Sequence, residues 1–386
     1  MSKILFMSHC VPPIPYSPSS IFLRLFKYFP EDSYIVLTSR YENNIAAADL
    51  GDKLRCGHYY VGKTIFGDYT RWSSIREWLD VPSMVAKGLS IIRKEKVTDI
   101  LIHPTSGNFL LASYILHRLT GIPLYVYMLD LYSAAQTFKI RKLMSVPIER
   151  LVMRASKKVF VMSEALQDFY KRKYNIQTVL LRHPIELPQN GSRIAKKVKI
   201  NRNTKKTIVF TGMIYEAQLD ALQNLVSAVN ELSEVEFHIY SQRAVPKLIT
   251  MGLSGSNIIH HGYVDPSKIS SIQREADILF LPMAFNSPYP DIIKTASPGK
   301  LPEYLASGAP VLVHAPEDAY ISWYAKTYRW GLVVDKPSPE LLKEAIWNLL
   351  NNGTLREQLV ENALKTVQMH DGLAVSTILQ KYMGVI

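Results

Sequence analysis

Lys300 and Glu303 stand three residues apart in the run Ser297-Pro298-Gly299-Lys300-Leu301-Pro302-Glu303-Tyr304-Leu305-Ala306-Ser307-Gly308. A cation and a carboxylate at that spacing can serve two adjoining parts of one ligand. The ammonium suits an anion such as a phosphate, and the carboxylate can accept both hydroxyls of a vicinal diol. The run reads as a loop opening into a short helix. Pro298 and Pro302 lack a backbone N–H, so the helix begins no earlier than about Lys300, and Pro302 fits its first turn. Gly308 stops it. The N–H groups around Gly299, Lys300 and Leu301 then face the space ahead of the helix, where an anion is favoured. A phosphate beside a ribose meets both needs. Any acid in a first turn gains from the helix dipole, so Glu303 also has a purely structural reading, whereas Lys300 opposes that dipole.

Three further polar residues sit where apolar runs end: His9 after residues 3–7, His103 closing 99–103, and Asp130 after 124–128. The carboxyl ends of strands in an open parallel sheet are where ligands bind, and a His or Asp there can take a proton or orient a hydroxyl. The structural readings are a hydrogen-bonded histidine and a helix-capping aspartate. The prolines of residues 12–18 make that loop stiff and expected to shape an acceptor pocket. His183 and Glu186 border a change in composition and are expected to shape a hinge.

The elements that must position these residues alternate. Runs 3–7, 34–38, 99–103, 124–128, 159–162 and 178–181 read as strands, with helices over 21–29, 109–119, 147–155 and 164–173. Residues 46–91 show no regular pattern and are given no elements. Residues 187–206 turn to Gly, Asn, Ser, Lys and Arg and form the expected linker. A second alternation follows, with strands at 207–211, 236–240, 258–260, 277–281, 311–313 and 332–334. Its helices lie at 220–232, 266–275, 338–351 and 355–369, and a last one at 374–383. Strands apolar on both faces and separated by helices predict parallel sheets covered on both sides. At 386 residues the chain exceeds one growing core, so two domains are expected: 1–186 and 207–370, with 371–386 as a final helix.

Charge is uneven. Residues 1–190 carry a net +10, residues 191–206 +7, and residues 207–386 −5, which accounts for the overall +12. A basic first half suits an anionic surface or a lipid diphosphate. Arg141, Lys142, Arg150, Arg154, Lys157 and Lys158 surround a helix with Leu143, Met144, Val146, Ile148, Leu151 and Val152, which reads either as a membrane-facing patch or as a sheet-packed helix with snorkelling cations. No recognised nucleic-acid module is present, so nucleic acid is not expected as a partner. No apolar run approaches 18 residues and the start lacks a signal-peptide core, so a cytoplasmic protein is expected, with peripheral contact at the inner face of the cell membrane. Cys10 and Cys56 are expected as free thiols, and no Cys/His spacing points to a metal.

Gly212 ending the strand after the linker, the run His260-His261-Gly262-Tyr263-Val264, the strand Ala276-Asp277-Ile278-Leu279-Phe280-Leu281-Pro282, and residues 297–313 together resemble the C-terminal half of GT-B glycosyltransferases of family four. The likeness covers residues 207–370 in motif order and is weaker over 1–190. It implies an α/β chain of two Rossmann-like domains whose parallel sheets face a central crevice. It further implies a nucleotide-sugar donor (UDP-, GDP- or dTDP-linked), no other cofactor and no essential metal. In such enzymes the residue matching Glu303 binds the donor ribose and the loop matching Gly262–Val264 packs near the base. Donor contacts expected from the resemblance and the local chemistry are Pro298, Gly299, Lys300, Glu303, Gly212, Tyr263, Val264, Arg243 and Thr295, with Asp130, His103 and His9 as catalytic residues across the crevice.

This chain departs from that pattern in three places. Thr295 stands where a second Glu is common, and Met213 and Gln218 stand where the phosphate Arg and Lys usually fall. Lys300, Lys294 and Arg243 are the expected replacement cations. The expected function is transfer of a sugar to a hydroxyl acceptor, a glycan or lipid-linked saccharide, with closure about 187–206 excluding water. A nucleotide-sugar epimerase and a catalytically silent nucleotide-sugar-binding subunit are the alternatives.

Overall fold

The structure is a computed structural model, and it describes residues 2–13, 17–41, 53–64, 78–104, 106–136, 139–187 and 205–386. Residues 188–204, most of the expected linker, and 14–16 of the proline loop lie outside the described residues.

The first unit contains residues 1–186 and 371–386. Its strands are β1 (Ile4–Met7), β2 (Tyr34–Tyr41), β3 (Gly57–Thr64), β4 (Asp99–Ile102), β5 (Leu124–Met128), β6 (Lys158–Val161) and β7 (Thr178–Leu180). They form one sheet in the order β3-β2-β1-β4-β5-β6-β7, every pairing parallel. β1, β4 and β5 are buried along their whole length, as strands covered on both faces must be. The helices are α1 (Ser17–Phe26), α2 (Val81–Glu95), α3 (Gly107–Thr120), α4 (Lys139–Ala155) and α5 (Glu164–Tyr174).

β3 and α2 fall in the stretch left without elements. β3, Gly-His-Tyr-Tyr-Val-Gly-Lys-Thr, is an edge strand whose polar and glycine positions hide an apolar run. α4 begins eight residues earlier than expected and carries Pro147 inside it. The proline removes the bond to the Leu143 carbonyl, and it lies on the exposed side of the helix, where water can serve that carbonyl instead.

The second unit spans residues 187–370. Its elements run β8 (Lys206–Thr211), α6 (Leu219–Asn230), β9 (Val235–Tyr240), α7 (Val245–Thr250), β10 (Ile258–Gly262), α8 (Pro266–Glu275), β11 (Ile278–Pro282), α9 (Pro290–Thr295), α10 (Leu301–Ala306), β12 (Val311–His314), α11 (Tyr320–Tyr328), β13 (Gly331–Val334), α12 (Pro339–Asn351) and α13 (Gly353–Thr366). The sheet order is β10-β9-β8-β11-β12-β13, again all parallel. Its core joins Ile208 and Phe210 of β8, Phe237 and Ile239 of β9, Ile278 and Phe280 of β11 and Leu342, Ile346 and Leu349 of α12. Asp265 caps α8 by accepting from Ser267 N–H at 2.8 Å, with Pro266 opening the helix.

The last helix, α14 (Gly372–Tyr382), belongs to the first unit. Gly372 N–H donates to Ile185 O at 2.8 Å, Gln380 Nε2 to Tyr28 O at 3.1 Å, and Tyr125 OH to Tyr382 O at 3.2 Å.

In both sheets the direction of strand addition reverses once, between β1 and β4 in the first and between β8 and β11 in the second. The carboxyl ends of those strand pairs are the places an open α/β sheet offers a ligand.

Candidate functional site

The second unit places the Lys300 and Glu303 run at that reversal. β8 ends at Thr211, and Gly212 follows with φ +119°, a conformation in which a side chain is strained. Lys300 sits at the N-cap of α10, and its Nζ lies 3.5 Å from the centroid of the Phe210 ring. A Cβ at residue 212 would come within 3.2 Å of that nitrogen. The lysine as a whole is partly buried, but its Nζ is enclosed and has no hydrogen-bond partner among the described residues. Burial lowers the amine to about 7, and Glu303 pulls it the other way.

Thr211 ties three elements to this point. Its N–H donates to the buried Tyr304 hydroxyl at 3.1 Å, and its Oγ1 accepts from Gln273 Nε2 of α8 at 3.0 Å. The same Nε2 lies 3.5 Å from Glu303 Oε2, the long limit of a hydrogen bond. Burial pushes the Tyr304 phenol up to about 12, so it stays neutral and keeps this arrangement across the physiological range. Gln273 and Tyr304 are positioning residues that the sequence reading did not pick out. The signal for Gln273 was a polar residue at a buried helix position.

The remaining residues expected to contact a donor are distributed as follows. Leu301 N–H donates to Pro298 O at 2.9 Å, so one of the N–H groups expected to face a ligand is already used in the turn through Pro298 and Gly299. α10 is six residues long, too short for a large dipole, and the formal charge of Lys300 therefore dominates. Arg243 donates from Nε to Ile214 O at 2.9 Å and so braces the loop after Gly212. Lys294, expected as a replacement cation, is instead 2.9 Å from Asp318 Oδ2. The Thr295 hydroxyl donates to Asp291 O within α9 at 2.8 Å. Tyr263 is exposed and Val264 half-buried after β10, where Gly262 has φ +68° and His261 stacks on Tyr240 at 4.1 Å. Met213 is exposed, whereas Gln218 is buried with its side-chain oxygen unpartnered among the described residues.

In the first unit, His9 follows β1 and His103 follows β4, the two strands flanking the reversal. His103 is 4% exposed, and its Nδ1 lies 3.0 Å from Tyr127 O. A carbonyl only accepts, so the proton is on Nδ1 and Nε2 presents a lone pair, enclosed and without a hydrogen-bond donor among the described residues. Burial lowers His103 to about 4, opposed by the Tyr127 carbonyl and helped by His183. Burial and His103 together lower His9 to about 3. Both rings are therefore neutral at physiological pH. Asp130 follows β5 and is exposed, yet the protein around it pushes its carboxyl upward, a push that solvent contact limits. The loop after it is held by the fully buried Glu149, which accepts from Ser133 N–H at 2.8 Å, Tyr174 OH at 2.8 Å and Lys173 Nζ at 3.0 Å. Glu149 also escaped the sequence reading, because a helix-interior glutamate between basic residues looks like a solvated one.

Among the described residues no three His, Cys, Asp or Glu side chains gather as a metal site, and no helix is long and apolar enough to cross a membrane.

Comparison with known proteins finds a likeness in fold and in part of the sequence. Residues 205–352 match the family model described as Glycosyl transferases group 1. No curated protein matches the chain in sequence. Among solved structures, the chain is similar to sucrose-phosphate synthase from Thermosynechococcus elongatus (TM-score 0.73, 14% identity, 99% of this chain and 98% of that one). It is similar also to HepE of Anabaena in complex with UDP-glucose (0.69, 14%, all of both chains). A third likeness is to WaaG, a glycosyltransferase involved in lipopolysaccharide biosynthesis (0.65, 14%, 98% and 99%). The two parallel sheets with their helices form a GT-B fold, and within it residues 205–352 are similar to the glycosyl transferases group 1 family.

Proposed function

We propose that this protein is a glycosyltransferase that binds a nucleotide diphosphate sugar in its second unit and transfers the sugar to a hydroxyl of an acceptor held by the first. The observation that carries the reading is the enclosed, unpartnered Lys300 amine beneath Gly212, one turn from Glu303, inside the segment that matches the family. Lys300 meets the charge of the diphosphate, which grows as it leaves, and Glu303 accepts from the ribose diol. Tyr304, Thr211 and Gln273 hold both in place. Tyr263 and Val264 line the base, while Gly299, Pro298 and Arg243 shape the loops around the phosphates.

In the first unit the roles divide by proton affinity. His103 and His9, held neutral and weakly basic, orient hydroxyls by accepting hydrogen bonds. Asp130, with its carboxyl raised, is the group suited to take the acceptor proton near neutral pH. The chemistry then runs without a bound metal, and chelation with EDTA leaves it unchanged. A glycan or lipid-linked saccharide is the acceptor class we favour, since WaaG is a neighbour in fold and the first half of the chain is basic. α4 exposes Leu143, Val146 and Leu151 beside Lys142, Arg150 and Arg154, a surface suited to peripheral contact with an anionic lipid face in the cytoplasm.

The test is incubation of the full chain with radiolabelled UDP-, GDP- and dTDP-sugars and a panel of saccharide and lipid-linked acceptors. Acceptor-dependent transfer supports the proposal. Conversion of the donor sugar without an acceptor identifies an epimerase. Binding with no turnover identifies a silent nucleotide-sugar subunit, the reading that Thr295, Met213 and Gln218 favour because the first supplies no second carboxylate and the other two no phosphate cation.

A further inference from the structure

Two of the three cations available to the donor phosphates already have partners, Lys294 in Asp318 and the Arg243 Nε in Ile214 O. The Lys300 amine instead rests on the Phe210 ring, roofed by Gly212 and without an acceptor among the described residues. An ammonium removed from water and lacking an acceptor is unfavourable, and an aromatic face replaces only part of its lost hydration. The charged group acting on it is Glu303, on its own helix. β8 contributes Phe210 and the turn after it Gly212, neither of which titrates. Gln273 of α8 is uncharged, and Tyr304 stays protonated with its hydroxyl committed to Thr211. The free site therefore holds an amine whose charged form is poorly supported, consistent with its lowering to about 7.

We infer that donor binding is proton-linked through Lys300: the incoming diphosphate draws a proton from solvent onto the amine lone pair, and the ammonium so formed pairs with a phosphate oxygen. The inference rests on the donor reading above. No covalent bond to the ligand forms, and the proton returns to solvent when the nucleotide leaves. The sign follows from the free amine. Below its midpoint Lys300 is already charged and binding takes up little; above it, uptake approaches one proton per donor and affinity falls by up to about tenfold per pH unit. The diphosphate that bridges a nucleoside and a sugar does not titrate in this range, so the proton belongs to the protein.

The experiment is isothermal titration calorimetry of the full chain with UDP-glucose, GDP-mannose and dTDP-glucose at pH 6, 7 and 8, each in two buffers of different ionisation enthalpy, Pipes and Tris. For the nucleotide that binds, uptake of nearly one proton is expected at pH 8 and little at pH 6. Lys300→Met abolishes the uptake and weakens binding at pH 6. Lys300→Arg, whose charge does not titrate here, also abolishes the uptake and gives an affinity that no longer falls with pH. Binding at pH 8 with no dependence on buffer, or uptake that survives in both variants, overturns the inference and leaves the donor site standing. Failure of all three nucleotides to bind overturns the donor reading and the inference together.

Discussion

Gly212 and Lys300 are matched to each other: a Cβ on residue 212 would lie 3.2 Å from the lysine Nζ, and residue 212 already has φ +119°. The two belong to segments almost ninety residues apart in sequence. The glycine admits the positive-φ turn and keeps a side chain off the amine.

Gly212→Ala is therefore expected to do two kinds of harm. Backbone strain costs about 1–3 kcal/mol of stability in the second unit, and the new methyl narrows the approach to Lys300. A lowered melting temperature together with weakened nucleotide binding is the expected result; unchanged values of both would show that the residue is an ordinary turn glycine.

Glu303→Ala is expected to weaken nucleotide affinity by about 1.5–3 kcal/mol, the scale of hydrogen bonds to a charged group. Gln273→Leu removes the bond to Thr211 Oγ1 and the long contact to Glu303, and is expected to produce a smaller loss because Gln273 acts only through those residues. Calorimetry with the folded variants ranks the two, and a larger loss for Gln273→Leu would reverse the assignment.

In the first unit, Glu149→Leu leaves the buried Ser133 N–H and Tyr174 hydroxyl without their acceptor, while Lys173 keeps Ser133 Oγ and solvent. Each buried donor left unsatisfied costs about 1–3 kcal/mol. Chemical denaturation followed at the first unit should register that loss, whereas a change below about 1 kcal/mol would place Glu149 in contact with water.

Acid should destabilise the protein through two buried imidazoles. His314 is fully buried, with Nδ1 2.9 Å from Val334 O, and burial lowers it to about 4 against the opposing Val334 carbonyl and Asp220. His103 is lowered to about 4 in the first unit. The unfolded chain protonates these rings near pH 6.5 and the folded chain does not, so their contribution to stability falls as pH drops from about 6.5 to 4 and levels off below. The loss amounts to roughly 3 kcal/mol for each ring. Melting curves across that window should fall less steeply for His314→Gln than for the unsubstituted protein; equal slopes would contradict the assignment.

Period and punctuation carried most of the architecture. Twelve of the strands lie where apolar runs did, since a strand buried on both faces has little choice of composition. β3 escaped because an edge strand tolerates the polar and glycine positions that mask such a run. The type and spacing of Lys300 and Glu303 were visible in a single short segment, as was the prospect of an anion beside a diol. What only the tertiary structure decided is which cation is available. Lys294 and Lys300 are indistinguishable as letters, but α9 brings the first to Asp318 while β8 encloses the second over Phe210. Likewise the proton position on His103 depends on a carbonyl from a neighbouring strand, Tyr127, and the tether at Thr211 on side chains drawn from two different helices. Pairings of that kind depend on distances between residues far apart in the chain, and a linear pattern does not contain them.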